Sequence, residues 1–230
     1  MIENSHNFAL HGEELTLLPQ KAVYFGKHKT VLAADLHLGK STHFRKEGIA
    51  VPAVLAEADL KNLSTIIDEL NPKRLIILGD LFHAEANYDL ELFKKWRENN
   101  RRLRIDLVKG NHDILPDDQY HELDIVTHDK HYIFSEFLLT HSPDNKPNRT
   151  KDFKYVICAH VHPAVKLYGK GKQSETLPCF YFGKDYGLLP AFGGFTGRAI
   201  VHPVEKDNVF VIIKSGGIGK VLPACSRQAN

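Results

Sequence analysis

The chain of 230 residues has no apolar run approaching the roughly eighteen residues that a membrane span needs. No passage through a membrane is expected. The opening stretch, Met1 to Leu10, has no basic segment followed by an apolar one, so it does not read as an export signal, and a cytoplasmic location is expected. Cysteine is scarce: Cys158, Cys179 and Cys225 make an odd set with no Cys-x-x-Cys pair, which excludes a disulfide framework and a thiolate zinc site. Charge of one sign is lacking too, because a formal net charge of +2 is too small to mark a dedicated nucleic-acid binder on its own. There are no internal repeats, no low-complexity linker and no compositional boundary, so a single domain spanning 1–230 is expected. Gly216-Gly217-Ile218-Gly219-Lys220 lacks both the spacing of a phosphate loop and the Ser or Thr after its lysine.

What the chain does have is histidine, 14 in all, and neutral imidazole is the commonest metal ligand. Their places follow from the strands. Arg74 to His83 runs Leu75-Ile76-Ile77-Leu78 into Gly79-Asp80, a short apolar run between Pro72 and Gly79 that suits a strand covered on both faces. Ligands of such sheets sit beyond the carboxyl ends of the strands, where Asp80 falls. A lone Gly-Asp pair is usually a β-turn, but the pattern recurs. A strand over Thr30 to Ala34 ends at Asp35 and His37, and one over Leu103 to Val108 ends at Gly110-Asn111-His112-Asp113. Between them the spacing predicts a helix opened by Pro52, carrying Leu55, Ala58, Leu63, Ile66, Ile67 and Leu70 and stopped by Asn71-Pro72, and a second over Asp89 to Asn99. Strands alternating with helices are the mark of βαβ units and an α/β fold. The second half is strand-rich: Tyr132 to Leu139, Tyr155 to Cys158, Ala164 to Tyr168, Leu177 to Phe182, Ala199 to Val204 and Val209 to Ile213.

Collected from the strand tips, Asp35, His37, Asp80, Asn111, His112, Asp113, His141, His160 and His162 form a nitrogen and oxygen set without thiolate. Such a set suits Mn²⁺, Fe²⁺ or Zn²⁺. An Asp-x-His or His-x-His pair leaving a strand is expected to send both side chains to one side, by the two-residue period of strands. The set is too large for one tetrahedral ion and about right for two ions sharing a carboxylate, so a binuclear site is expected.

In this order, Asp-x-His, Gly-Asp, Gly-Asn-His-Asp, a later His and a final His-x-His, the stretch from Asp35 to His162 resembles the calcineurin-like metallophosphoesterases. The resemblance implies a metallophosphoesterase fold, two packed mixed β-sheets flanked by helices, with the metals at the strand ends. It implies one metal on Asp35, His37 and His162, the other on Asn111, His141 and His160, and Asp80 bridging both. His112 resembles the family's histidine that contacts the scissile phosphate, with Asp113 orienting it. Two divalent ions, Mn²⁺ first and Fe²⁺ or Zn²⁺ as alternatives, would activate a water and clamp the phosphate. The chain departs from the family at His83, often Asn or Asp, and at Ala159, usually Gly. His83 is left without a role, and Ala159 implies that the backbone there needs no positive φ.

Asp35 to Lys40, Phe44-Arg45, Gly48 to Pro52, Gly79 to Ala84, His160 to Val165 and Leu189 to Gly197 together look like the bacterial DNA ligase-associated metallophosphoesterases. This resemblance implies a nucleic-acid or nucleotide phosphodiester as substrate, a setting in DNA repair, and a DNA ligase and a helicase as partners. Lys40 and Arg45, flanking the first motif, are candidates to cradle a phosphate. Lys94, Lys95, Arg97, Arg101, Arg102 and Arg104 are a basic run that can track a nucleic-acid backbone or simply be a solvated face. Phe192 and Phe195 are read as packing residues of the glycine-rich stretch, with base stacking as the alternative. Two rival readings stand beside the phosphodiesterase: a pyrophosphatase of a nucleotide-linked lipid, which needs an apolar helical lid that the sequence does not offer, and a repair-complex scaffold with incidental metal binding.

Overall fold

A computed structural model of the chain describes residues 2–40, 55–82, 88–145, 147, 152–169, 171 and 173–221. The first sheet opens with an antiparallel meander, β1 (His6–Leu10), β2 (Glu13–Leu18) and β3 (Ala22–Phe25), which leads into β4 (Thr30–Ala34). From β4 the strands run parallel through β5 (Arg74–Leu78), β6 (Arg104–Val108) and β7 (Ile125–His128), joined by α1 (Leu55–Leu70), α2 (Tyr88–Asn99) and α3 (Asp117–Glu122). These are the expected βαβ crossovers, and the sheet order follows the chain from β1 to β7.

The second sheet takes β8 (His131–Phe134), β9 (Phe137–Thr140), β10 (Tyr155–Cys158), β11 (Pro163–Tyr168), β12 (Ser174–Phe182), β13 (Tyr186–Leu188) and β14 (Ala199–Ile200), in the order β14-β11-β12-β13-β10-β9-β8. A hairpin of β15 (Asn208–Ile213) and β16 (Gly217–Val221) joins it along β12. Both sheets are mixed, as the metallophosphoesterase resemblance implies: β9, β10 and β13 are mutually parallel while β8, β12, β15 and β16 pair antiparallel.

Strand β5 shows why an unbroken apolar run was needed. Its side chains alternate between two cores, Leu75 and Ile77 under the helices, Ile76 and Leu78 between the two sheets. The helical layer sits on Leu60, Leu63 and Ile66 of α1 and on Leu90, Phe93 and Trp96 of α2, and the Trp96 indole N–H donates to Ser64 Oγ at 3.0 Å to tie the two helices. The buried stripe of α1 runs through Ala56 rather than the expected Ala58, which is exposed. Asn71, at φ 44°, ends α1 in the left-handed conformation that precedes Pro72.

Two expected strands come out differently. Tyr132 to Leu139 is a hairpin, turned at Ser135 with φ 52° so that Phe134 faces Phe137. Ala199 to Val204 contributes only Ala199–Ile200 to a sheet. The dismissed Gly216 to Lys220 stretch is the turn and return strand of the β15–β16 hairpin. No helix among the described residues is long and apolar enough to cross a membrane.

Ile76 is fully buried between the sheets, so Ile76→Ala should lower the unfolding free energy by about 2–5 kcal/mol in urea titrations at unchanged m-value. A loss below about 1 kcal/mol, the size of a surface change, would contradict this packing.

Candidate metal centre

The tips of β4 and β5 are laced together beyond the last strand residue. Asp35 N–H donates to Gly79 O at 3.1 Å, His37 N–H to Asp80 O at 2.8 Å and Leu38 N–H to Leu81 O at 2.9 Å, and Leu38 and Phe82 form a parallel bridge. The loop after β6 joins them through Asp80, whose Oδ1 accepts the His112 backbone N–H at 3.0 Å. Asp113 completes the tie: its carboxylate accepts from Leu81 N at 2.9 Å and Gly110 N at 2.8 Å. These contacts are to the backbone of the β5 tip and of the loop that also carries His112. Burial pushes the Asp113 carboxyl up to about 6, against the Gly110 hydrogen bond and with the Asp80 charge adding to the rise.

The second sheet supplies the other wall. His141 follows β9, and Ala159 N–H donates to its carbonyl at 2.9 Å, while His160 N–H donates to Asp35 Oδ2 at 3.1 Å across the gap between the sheets. His141 Nδ1 lies 3.2 Å from Leu78 O, and because a carbonyl only accepts, that nitrogen is the donor and Nε2 is the atom turned to the site. The same logic fixes His162, whose Nδ1 lies 3.1 Å from Gly197 O and whose Nε2 turns toward Asp35 Oδ1 at 3.4 Å.

Two groups of ligand atoms result, Asp35 with His37 and His162, and Asp80 with His141 and His160, each with its atoms within 4.8 Å of one another. Asp80 faces both, with Oδ2 3.7 Å from His37 Nε2 and Oδ1 3.5 Å from His141 Nε2. Asp35 and His37 share a group, as the strand period expects, while His160 and His162 go to different groups, a division that the family resemblance implies and the strand period alone does not. The reason is local. Asp35, His37, Asp80, His160 and His162 all lie past their strands at φ 51°, 50°, 50°, 66° and 51°, so left-handed turns, not the strand period, aim them. Ala159 is not among the positive-φ residues, as its departure from glycine implied; the turn is taken at His160 itself.

The donor set fits cations. Asp35 Oδ1 and His162 Nε2 are buried and make no hydrogen bond among the described residues. His141 Nε2 and His160 Nδ1 meet at 3.1 Å, a contact that needs a proton or a cation between two ring nitrogens. Asp35 and Asp80 are 0% and 2% exposed, and buried carboxylates facing buried lone pairs call for positive charge.

Around this centre, Asn111 and His112 are exposed on the loop after β6, the His112 ring 5.6 Å from that of His37. Lys40 stands close enough to feel Asp80 and Asp35, whose charges oppose the drop in its pKa caused by burial. Arg45, His43 and His83 lie outside the described residues. The basic run divides: Arg97 is buried and donates to Leu123 O at 3.0 Å, Lys94 pairs with Glu91 at 2.8 Å and Arg104 with Asp106 at 2.9 Å, so much of it serves local structure. Phe192 is buried in the helical core, as the packing reading expects, whereas Phe195 is 40% exposed. Beside His162 opens a cavity of about 590 Å³, bordered by Lys21, Leu177, Thr196, Arg198 and Lys214. Sequence reasoning did not single out Lys21 or Asp59, which meet the glycine-rich stretch only through the tertiary fold.

Comparison with known proteins identifies the family. Residues 28–164 match the model of the calcineurin-like phosphoesterases. The structure of the nuclease MPE of Pseudomonas putida superposes with a TM-score of 0.79 at 32% identity, covering 95% of this chain and 100% of that one. The chain belongs to the calcineurin-like phosphoesterase family, and is thereby a metal-dependent phosphoesterase, a hydrolase whose family implies divalent metal ions. Weaker likenesses are to a protein of unknown function from Aquifex aeolicus (TM-score 0.42, 20% identity, 62% of this chain and 82% of that one) and to the phosphoesterase Yfce of E. coli (0.46, 14%, 84% and 98%). Among curated proteins no match was found.

Two glycines test the geometry. A Cβ on Gly110 would fall 2.3 Å from Asp80 Oδ1, and one on Gly79, at φ +74°, 2.0 Å from His141 Nδ1. Gly110→Ala should therefore weaken divalent-metal binding by about 10- to 100-fold, the size typical of a disturbed outer-shell partner, with the far-ultraviolet circular dichroism unchanged. Wild-type affinity in that variant would show that Asp80 is not held as described.

Proposed function

We propose that the protein is a binuclear, Mn²⁺-dependent phosphodiesterase that cuts nucleic acid or nucleotide diesters in DNA repair, as a single cytoplasmic domain. The observation that carries the two-metal reading is Asp80, with one carboxylate oxygen toward His37 and the other toward His141. In this reading Asp35, His37 and His162 hold one ion, Asn111, His141 and His160 the other, and Asp80 is shared. Fe²⁺ and Zn²⁺ suit the same nitrogen and oxygen donors. Support for a nucleic-acid substrate comes from the Pseudomonas putida protein, named a nuclease, with which the chain shares 32% identity over 95% of its length. A DNA ligase and a helicase remain the proposed partners.

When bound, two divalent cations acidify a water and neutralise charge on the phosphoryl oxygens. The chain's own groups do the positioning. His112, on the loop whose backbone is tied to Asp80, contacts the scissile phosphate and hands a proton to the leaving oxygen. Asp113 holds that loop against the β5 tip. Lys40, and Arg45 beyond the described residues, meet the flanking phosphates, and the cavity edged by Lys21, Arg198 and Lys214 takes the strand on the His162 side.

The test is a Mn²⁺-supplemented panel of single-stranded DNA, duplex DNA, RNA, a cyclic nucleotide, a monoester and a nucleotide-linked lipid. Turnover of the nucleic-acid diesters is expected; turnover confined to the monoester or the lipid pyrophosphate would overturn the substrate reading, and none at all would favour a scaffold. Asp80→Ala should abolish activity and empty both metal positions. His112→Ala should keep the metals and lose about 10²- to 10⁴-fold in rate, the range of general acid catalysis. Full activity in that variant would remove His112 from the chemistry.

A further inference from the structure

Asp35 and His162 belong to different sheets, Asp35 following β4 in the first and His162 preceding β11 in the second, yet their ligand atoms stand 3.4 Å apart. A strap of backbone between Leu189 and Ala199 spans them. It leaves the second sheet with Leu189 N–H on Cys158 O at 2.9 Å. It then docks on the first through Phe192 N–H to Ala34 O at 2.7 Å and Gly193 N–H to Asp35 O at 3.1 Å. It returns to the second, where Gly197 O accepts from His162 Nδ1 at 3.1 Å and Ala199 N–H donates to His162 O at 3.1 Å. The strap lies hard against the first ligand motif, since a Cβ on Gly193 would come 2.5 Å from Leu36 O.

Two side chains grip the strap at its centre, from two other parts of the fold. Asp59 of α1 sets both carboxylate oxygens 3.1 Å from Gly194 N, and Lys21, from the β2–β3 turn, donates from Nζ to Gly193 O at 3.0 Å. We infer that Lys21 and Asp59 are positioning residues for one metal position: they fix the strap whose carbonyl at Gly197 keeps His162 Nε2 aimed at Asp35.

Both grips are set in buried surroundings. Burial raises the Asp59 carboxyl to about 6, against the Gly194 hydrogen bond and the Lys21 charge, and burial lowers the Lys21 ammonium to about 8. Each shift disfavours the charged form. The acid therefore costs stability as pH rises from its ordinary range through about 6, and the amine costs stability as pH falls from its ordinary range through about 8. The hydrogen bonds to Gly193 O and from Gly194 N–H offset that burial cost, so both groups are held to the strap.

The inference rests on the two-metal reading, and one titration separates the two. Mn²⁺ binding is measured by calorimetry on the full chain, wild type beside Lys21→Met, Asp59→Asn and Lys21→Arg, with the metal-free melting temperature of each. Wild type is expected to take two equivalents. Lys21→Met and Asp59→Asn should also take two, one class weakened by about 10- to 100-fold, as for lost outer-shell support, and the other unchanged. Lys21→Arg, which keeps a charged donor, should restore the weakened class. Unchanged binding of both equivalents, or equal weakening of both together with a lower melting temperature, would overturn the inference. A single equivalent in wild type would instead refute the two-metal reading, and the inference would then stand only if that one affinity weakens in Lys21→Met. If Lys21→Met does not fold, Asp59→Asn, which keeps an acceptor for Gly194 N–H, decides alone.

Discussion

The constraint on which the molecule turns is the left-handed backbone at its ligand residues. Asp35, His37, Asp80, His160 and His162 all carry φ between 50° and 66° without being glycine. Each such residue costs on the order of 1–3 kcal/mol, and such strain survives only where the surroundings over-determine it. The surroundings do so here. The β4 and β5 tips exchange backbone hydrogen bonds at Asp35, His37 and Leu38, Asp113 binds the β5 tip to the β6 loop, and His160 N–H closes onto Asp35 across the sheets. The strain turns carboxylates and imidazoles inward to a point where neither sheet alone could bring them.

Both sheets are therefore needed for the site, and the core explains how they are held. Strand β5 sends alternate side chains into the helical layer and into the layer between the sheets, so the carboxylate at its end is anchored from both faces. Asp80 sits at the seam, with His37 of the first sheet on one side and His141 of the second on the other. The glycine-rich strap crosses the same seam and ties Asp35 to His162. A phosphoesterase built this way draws its precision from backbone that is laced together before any ligand arrives.

Much of this was legible in the sequence because it was carried by local patterns. The apolar run before Gly79-Asp80 announces a strand buried on both faces, and β5 is one. The recurrence of acid and histidine at strand ends points to one centre, and six of those residues converge in two groups. What stayed hidden is tertiary. Periodicity alone puts His160 and His162 on one side; only the family resemblance divides them between two groups, and the left-handed turn at each is what makes that division. The turn at Ser135 that breaks Tyr132 to Leu139 into a hairpin has no glycine or proline to mark it. No pattern in the sequence marks Asp59 or Lys21, whose partners, Gly194 N–H and Gly193 O, are brought to them by the strap.

The central claim is that Asp80 is shared by two ions, and anomalous diffraction from crystals grown with Mn²⁺ tests it most directly. The account predicts two peaks about 3.5–4 Å apart, one among Asp35, His37 and His162 and one beside His141 and His160, with Asp80 between them. A single peak, or two peaks that do not both touch Asp80, would contradict it.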